Sequence, residues 1–153
     1  MTKYLYLVQH GLAKSKDIDP NRSLADQGQR ETELMAEMAA KLELTIDEIR
    51  HSGKARAEQT AAIFGRALSI QDKVTTVSGL GPMDDVKPVV NAIMEDDRSV
   101  MLVGHLPFMG RLVGYLVSSD DNATPVAFRN SGIVCLTPEG QNWNVVWQLI
   151  PGG

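Results

Sequence analysis

Apolar runs alternate with amphipathic segments along this chain. Residues 3–8 are apolar at nearly every position, as in a strand that is buried on both faces of a parallel sheet. Ser99–Gly104 has the same character and gives the clearest strand signal. The remaining strand candidates are shorter or alternate only in part: 46–51, 74–77, 132–138 and 143–151.

Four segments with helical spacing lie between these strands. The first covers about 23–42, where Ser23 and Asp26 have the spacing of a capping box. Ser52 is predicted to cap an alanine-rich helix that runs to about Leu68. The other two helices are predicted after Asp84-Asp85 and from about Pro107. Apolar residues recur at helical intervals in the first helix: Leu24, Leu34, Met35, Met38, Ala39 and Leu42.

The order of these elements predicts an α/β fold. Strands that alternate with helices form a mainly parallel sheet with helices on its faces. The last two strands flank a Glu139-Gly140 turn signal, so we expect an antiparallel hairpin at one edge. The chain has 153 residues, the usual size of one domain, and we expect a single domain over 1–153.

Composition narrows the class of protein. The formal net charge is −4, which argues against a nucleic-acid or anionic-membrane partner, since both normally demand a basic surface. Cys135 is the only cysteine, which excludes an intrachain disulfide and a metal site built on several thiolates. No secretory signal or apolar run of membrane-spanning length is present, and we expect a cytoplasmic protein.

Two histidines stand where ligands bind in such a fold. His10 and His105 each follow a predicted strand directly. Ligands of open α/β sheets bind beyond the carboxyl ends of the strands, close to helix N-termini that favour anions. Two imidazoles at that edge indicate phosphate chemistry.

Three segments resemble the motifs of a known superfamily. They read "LVQHGLA", "SGKARAEQTAAIF" and "VMLVGHLPFMGRLV", and they resemble the three motifs of the histidine phosphatase superfamily. Together with the short length and the segment "NRSLADQGQRE", the chain is most similar to the SixA-type phosphohistidine phosphatases. The resemblance spans nearly the whole chain. It implies the phosphoglycerate mutase-like fold, a three-layer αβα sandwich.

The resemblance also implies roles for individual residues. His10 would be the nucleophile, phosphorylated on one ring nitrogen and then hydrolysed. Arg56 would grip the phosphoryl oxygens, and His105 would donate to the phosphate and add positive charge if it is protonated. A neutral imidazole attacks well when its other nitrogen donates to a fixed acceptor, such as a backbone carbonyl that Gly11 brings close. His51 matches no motif and is interpreted as structural or exposed.

Position 9 departs from the superfamily pattern, which has arginine before the histidine. Gln9 can donate a hydrogen bond but carries no charge, and the difference is worth about 1–3 kcal/mol. Transition-state binding would fall about tenfold to a hundredfold. Arg22 is the predicted substitute: together with Arg56 it would hold the phosphoryl group, with Gln9 and Gly11 completing the phosphate-binding set.

The sequence offers no obvious general acid. Leu12 occupies the place where an acidic residue often follows the first motif. Asp84 and Asp85 are the nearest alternatives, but both are interpreted mainly as helix caps. A phosphohistidine substrate needs little acid help, because its leaving imidazole is a stable neutral base once protonated. The absence therefore favours phosphohistidine over sugar phosphates.

The preferred hypothesis is a phosphohistidine phosphatase that acts on a phosphorylated protein of a phosphorelay or phosphotransfer system. It requires no metal and no cofactor, and we expect a monomer. A phosphatase or mutase for a small metabolite is an alternative, against which the short chain argues because lids are built from insertions. A degenerate member that binds phosphate without turnover is the second alternative. A metal hydrolase is remote, because three scattered histidines make a poor ligand set.

Overall fold

The computed structural model describes residues 3–152. Over this range four α-helices alternate with the strands of a six-stranded sheet, and a short 3₁₀ helix lies at Gln71–Lys73. The strands are β1 (Leu5–Gln9), β2 (Glu48–His51), β3 (Val74–Thr76), β4 (Val100–Gly104), β5 (Ile133–Glu139) and β6 (Asn142–Leu149). The helices are α1 (Asp26–Lys41), α2 (Ala55–Ala67), α3 (Lys87–Glu95) and α4 (Phe108–Ser118).

The sheet has the strand order β3-β2-β4-β1-β5-β6. The first four strands are parallel, with Gln9 of β1 opposite Gly104 of β4, and His51 of β2 opposite Val103 of β4. β5 joins β1 antiparallel and forms a hairpin with β6 through Gly140, whose φ is +63°. The predictions of a mainly parallel sheet and of an antiparallel hairpin at one edge are confirmed.

Helices cover both faces of this sheet, which gives the expected three layers. Alternate residues of β1 enter different cores: Val8 packs with Phe64 of α2 in one, and Leu7 packs with Leu112 of α4 in the other. Because β1, β2 and β4 are parallel, their carboxyl ends lie together along one edge of the sheet, the edge that runs across the strand ends and not along an outer strand. None of the helices within residues 3–152 is long and apolar enough to cross a membrane.

The predicted capping box at the start of α1 is wrong. The helix begins at Asp26, with Ala25 at the N-cap and no side-chain cap. Residues before it are extended, because the Ala25 amide donates to the Leu12 carbonyl oxygen at 2.9 Å. Ser23 therefore lies too far from the first turn, and its hydroxyl donates to the carboxylate of Asp19 instead.

The buried face of α1 also differs from its apolar pattern. Leu34, Met38 and Leu42 are 61%, 42% and 51% exposed. The residues that face the sheet are mostly small, and they allow the helix axis to approach closely: Gly28, Thr32, Met35, Ala36 and Ala39. Helical spacing alone does not distinguish two apolar stripes on one helix, and here the stripe with the smaller residues is buried.

The predicted cap of α2 is wrong for a different reason. α2 begins at Ala55, with Lys54 at the N-cap and no side-chain cap bond. The Ser52 hydroxyl lies three residues earlier and contacts the histidine that follows β4, as described below.

Candidate active site

His10 directly follows β1 in the middle of the sheet, and its backbone is fixed on both sides. Its amide donates to the carbonyl oxygen of Gly104 at 3.0 Å, and its own carbonyl accepts from the side-chain amide of Asn130 at 2.9 Å. The Nδ1 atom lies 2.7 Å from the Gly11 carbonyl oxygen. Because a carbonyl only accepts, Nδ1 carries the ring proton and Nε2 keeps its lone pair. The expected backbone acceptor is thus the carbonyl of Gly11.

Gly11, which follows His10, contacts both neighbouring helices. Its amide donates to Thr60 Oγ1 at 2.9 Å, and Thr60 donates in turn to the carbonyl of Arg56 at 2.8 Å. A Cβ atom at position 11 would lie 2.7 Å from Thr32 Oγ1. Only glycine fits at this contact without displacing Thr32. Thr60 therefore connects Gly11 to the first turn of α2.

His105 lies beside His10, at the end of the neighbouring strand β4. The two ring centroids are 5.0 Å apart, and the ring planes are inclined by 53°. His105 is 2% exposed, and its Nε2 lies 2.6 Å from Ser52 Oγ. Its other ring nitrogen, Nδ1, is buried and has no hydrogen-bond partner among residues 3–152. The structure therefore brings the two predicted imidazoles together.

Arg22 and Arg56 also lie together, in the wall of one cavity of about 610 Å³. Arg56 stands in the first turn of α2, and its Nε atom is buried without a partner within the described part of the chain. Arg22 stands in the loop before α1 with φ of +51°, and its Nε donates to the Lys14 carbonyl at 3.1 Å. Lys16 and Lys54 line the same cavity, which gives it a strongly basic wall.

Burial and these cations keep both imidazoles neutral. Burial lowers the pKa of His10, with smaller effects of Arg56 and Arg22 in the same direction, while the bond to Gly11 opposes the shift. Burial lowers the pKa of His105 to about 3, helped by the charges of its neighbours His10, Arg56, Lys54 and Arg22. Without a bound anion, His105 is therefore a neutral donor at pH 7 rather than an added positive charge.

Gln9 lies at the same edge of the sheet as the two histidines. It is the last residue of β1, is half-buried, and its backbone carbonyl accepts from the Ser131 amide at 2.9 Å. Among residues 3–152 the Gln9 side chain forms no hydrogen bond, so its amide is available to a ligand. Gln9 is uncharged, so the positive charge near this edge comes from Arg22 and Arg56, which line one cavity.

The remaining candidates serve their own loops. Asp84 is exposed and accepts from the Gly81 amide at 2.7 Å, and Asp85 is exposed and accepts from the Lys87 amide at 3.1 Å at the start of α3. The helix-cap prediction is wrong for Asp84, because Val86 is the N-cap of α3 without a side-chain cap bond and only Asp85 bonds an amide of the first turn. His51 is buried, and its Nδ1 accepts from the Gly53 amide at 3.1 Å, which fixes the turn before α2.

Sequence reasoning missed two polar residues of the site, Ser52 and Asn130. Ser52 follows β2 at the same edge as His105, so its position was a usable signal, but the capping pattern offered a simpler interpretation. Asn130 lies 120 residues from His10 and precedes a strand that runs antiparallel to β1. Nothing local in the sequence indicates that contact.

Comparison with known proteins identifies relatives of this fold and site. No family model matches the chain. Phosphohistidine phosphatase SixA of Escherichia coli (strain K12) is 30% identical over 154 residues, which cover 96% of this chain and 93% of that protein. A structure of the protein histidine phosphatase SixA complexed with tungstate matches with a TM-score of 0.85 at 30% identity, and the match covers 97% of each chain.

A phosphohistidine phosphatase SixA structure from Agrobacterium tumefaciens matches with a TM-score of 0.79 at 29% identity, covering 97% of this chain and 98% of that one. The agreement extends over almost the whole chain and includes the fold that the motifs implied. The chain belongs to the SixA phosphohistidine phosphatases of the histidine phosphatase superfamily.

Proposed function

We propose that this chain hydrolyses phosphohistidine on a protein and that His10 carries the phosphoryl group transiently. The observation that carries the proposal is the geometry of His10: Nδ1 donates to the Gly11 carbonyl at 2.7 Å, so Nε2 presents a lone pair. The neighbouring His105 lies 5.0 Å away between ring centroids. The low pKa of His10 supports the role, because the nucleophile stays unprotonated at neutral pH.

The reaction proceeds in two displacements at phosphorus. In the first, the Nε2 lone pair of His10 forms a P–N bond while the P–N bond of the substrate breaks, and the substrate imidazole takes up a proton. In the second, a water oxygen forms a P–O bond while the P–N bond to His10 breaks, Nε2 regains its lone pair, and the proton of the attacking water is released to solvent with the inorganic phosphate. Arg22 and Arg56 hold the phosphoryl oxygens, while His105 and Gln9 donate neutral hydrogen bonds to them.

The site suits a leaving group that needs little acid help. Leu12, 38% exposed, stands where a carboxylic acid often follows the first motif, and Asp84 and Asp85 bind amides of their own loop. An imidazole leaving group becomes a stable neutral base on taking up a proton from water. This chemistry favours phosphohistidine over the phosphate esters of small metabolites.

The finer parts of the proposal concern the partner. The curated SixA relative is named for phosphohistidine, and the SixA structure with tungstate holds an oxyanion of phosphate-like shape. We propose a phosphorylated protein of a phosphorelay or phosphotransfer system as the donor, with this chain acting as a single-domain monomer in the cytoplasm. The cavity beside the site is open to solvent, as a protein substrate requires.

The test is hydrolysis of a phosphohistidine peptide, measured beside an aryl phosphate. Wild-type protein is expected to release phosphate from the peptide, and His10→Ala is expected to lose at least about a thousandfold in kcat. Rapid quench with a labelled donor should place the label on His10 and on neither of the other two histidines. Absence of peptide hydrolysis with a label that persists on His10 would support the degenerate alternative. Faster hydrolysis of the aryl phosphate would support the small-metabolite alternative.

A further inference from the structure

Ser52 lies beside the turn that carries His105. β2 and β4 are paired with His51 opposite Val103, so the residues that follow each strand are neighbours. The half-buried Ser52 hydroxyl lies 2.6 Å from His105 Nε2. Since α2 begins at Ala55 without a side-chain cap bond, the hydroxyl is not committed to that helix.

The position of one proton decides what His105 can do. A neutral imidazole has one N–H, and a serine hydroxyl can donate once and accept twice. If Nε2–H donated to Ser52, Nδ1 would present a lone pair and repel an anion. If the Ser52 hydroxyl donates to Nε2, the proton is on Nδ1. The Ser52 oxygen then accepts from the Lys54 amide at 3.4 Å, which leaves its own proton for the histidine.

The buried Nδ1 atom favours the second arrangement. It is buried and has no hydrogen-bond partner among residues 3–152, in a ring that is 2% exposed. Buried polar atoms without partners are rare and costly. The ring lies next to His10 and in the electrostatic field of Arg22 and Arg56, so an anionic oxygen is the partner that an Nδ1–H would find there.

We infer that Ser52 is a positioning residue of this site: its hydroxyl donates to His105 Nε2 and keeps the imidazole proton on Nδ1, as the donor to a phosphoryl oxygen. The identity of the anion rests on the proposed function. Ser52 does for His105 what the Gly11 carbonyl does for His10. The Gly11 carbonyl accepts from Nδ1 of His10 and leaves the Nε2 lone pair to attack phosphorus, whereas Ser52 donates to Nε2 of His105 and leaves Nδ1–H to donate to a phosphoryl oxygen.

The histidines of this chain make the inference measurable, because there are only three. His10 should carry its proton on Nδ1, since that atom contacts the Gly11 carbonyl. His51 should carry it on Nε2, since its Nδ1 accepts from the Gly53 amide. His105 should carry it on Nδ1. All three have a lowered pKa and are neutral at neutral pH, so each has a defined tautomer.

The experiment is long-range ¹H–¹⁵N NMR of the histidine rings in untagged protein at neutral pH. Wild type should show protonated Nδ1 for two histidines and protonated Nε2 for one. In Ser52→Ala the His105 ring should change to protonated Nε2, the form that a free imidazole side chain prefers in water. Ser52→Thr keeps the hydroxyl and should keep the wild-type pattern, and His10 and His51 should not change in either variant.

A second measurement connects the tautomer to anion binding. Vanadate, which imitates phosphorus at the transition state, should bind Ser52→Ala about tenfold more weakly than wild type, because one preorganised donor is lost. Ser52→Thr should restore most of the affinity. Ser78→Ala is the matched control, since Ser78 is exposed and its hydroxyl has no hydrogen-bond partner within the described residues.

Two results would overturn the inference: protonated Nε2 on His105 in wild type, or an unchanged tautomer and unchanged vanadate affinity in Ser52→Ala. The proposed function fails separately. A protein with the expected tautomers and vanadate affinities that releases no phosphate from phosphohistidine would retain the role of Ser52 and refute the hydrolase.

Discussion

Gln9 leaves the end of β1 without the positive charge that the resembled motif has beside its histidine. The motif that the chain resembles has arginine at this position, and here a neutral amide ends β1 beside His10. Arg22 stands in the wall of the same cavity as Arg56, in a left-handed backbone conformation that costs a non-glycine residue about 1–2 kcal/mol. Strain held at one residue beside a site is a reason to test that residue for function.

The first prediction concerns these charges. Gln9→Arg should raise kcat/KM for a phosphohistidine peptide about tenfold, because a charge-assisted bond replaces a neutral one. Arg22→Ala should lower it by about tenfold to a hundredfold. Steady-state kinetics measure both, with Arg30→Ala as a control on the exposed side of α1. If neither substitution changes the rate, Arg22 and Gln9 do not contact the phosphoryl group.

The second prediction concerns the buried imidazoles. Burial lowers the pKa of His105 to about 3, below the value of about 6.5 in an unfolded chain. Between these values the unfolded state binds more protons than the folded state. The free energy of unfolding should therefore fall as the pH falls below 6.5, by about 1.4 kcal/mol per pH unit for His105 at most. His10 and His51 act in the same direction.

Urea denaturation at pH 7 and at pH 5 measures this dependence. The interval lies above the range in which carboxylates titrate, so the histidines dominate it. His105→Asn should have a flatter dependence than wild type, whatever its absolute stability. Equal slopes in the two proteins would contradict the burial of a neutral His105.

At the scale of elements, α1 is fixed to the loop that follows His10. Gly28 lies against the backbone of Leu12, where a Cβ atom would come within 2.1 Å of the Leu12 carbonyl oxygen. The amide of Ala25, just before α1, also donates to the carbonyl oxygen of Leu12. The start of the helix is therefore bonded to the loop after His10. The position of α1 thereby controls the position of the Gly11 carbonyl.

The third prediction tests that contact. Gly28→Ala should destabilise the fold by about 3 kcal/mol, because backbone atoms must move to admit the methyl group. It should also lower kcat by displacing the loop that orients His10. Gly110→Ala is the matched control within a helix, since its Cβ would lie 3.8 Å from Thr124 Cγ2, an ordinary contact. We expect Gly110→Ala to be neutral or stabilising by about 0.5–1 kcal/mol. Equal stabilities of the two variants would show that the backbone of Leu12 moves aside at little energetic cost.

Elements with a local signal were predictable, and contacts between distant segments were not. The buried strand over 3–8, the helix over 23–42 and the Glu139-Gly140 turn correspond to β1, α1 and the β5-β6 hairpin. The sequence predicts Ser23 and Ser52 as helix caps. Both predictions fail, because a serine hydroxyl has equally good partners in a turn or across a sheet. Ser23 bonds Asp19 within its own loop, whereas the partner of Ser52, His105, lies 53 residues away and is brought to it by the pairing of β2 with β4.

At the scale of the whole molecule, charge is distributed unevenly. The net charge is −4, yet the cavity beside the site is lined by Lys16, Arg22, Lys54 and Arg56, with Glu58 as its acidic residue. Over residues 3–152, ion pairs are found between Arg50 or Arg98 and Glu48 or Asp96, and none involves the cavity's cations. Unpaired cations around an opening attract an acidic partner and orient it.

The fourth prediction follows from this distribution. Lys16→Glu should lower kcat/KM for an acidic phosphorylated protein about threefold to tenfold at low salt, and added salt should reduce the difference. Hydrolysis of an aryl phosphate should change less than about twofold. Lys73→Glu alters the net charge equally. Lys73 directly precedes β3 and so lies at the amino-terminal ends of the parallel strands, away from the carboxyl ends that carry the site. If Lys73→Glu has the same effect, net charge and not the cavity is responsible.

The amide of His10 donates to the Gly104 carbonyl between the two central strands of the sheet. That hydrogen can exchange with deuterium only when β1 and β4 separate, an event that opens the middle of the molecule. Fraying of an edge strand or of a helix end should therefore leave the backbone of His10 in place. We therefore expect the His10 amide to be among the slowest in the chain to exchange, and the placement of its imidazole to be lost only when the centre of the sheet opens.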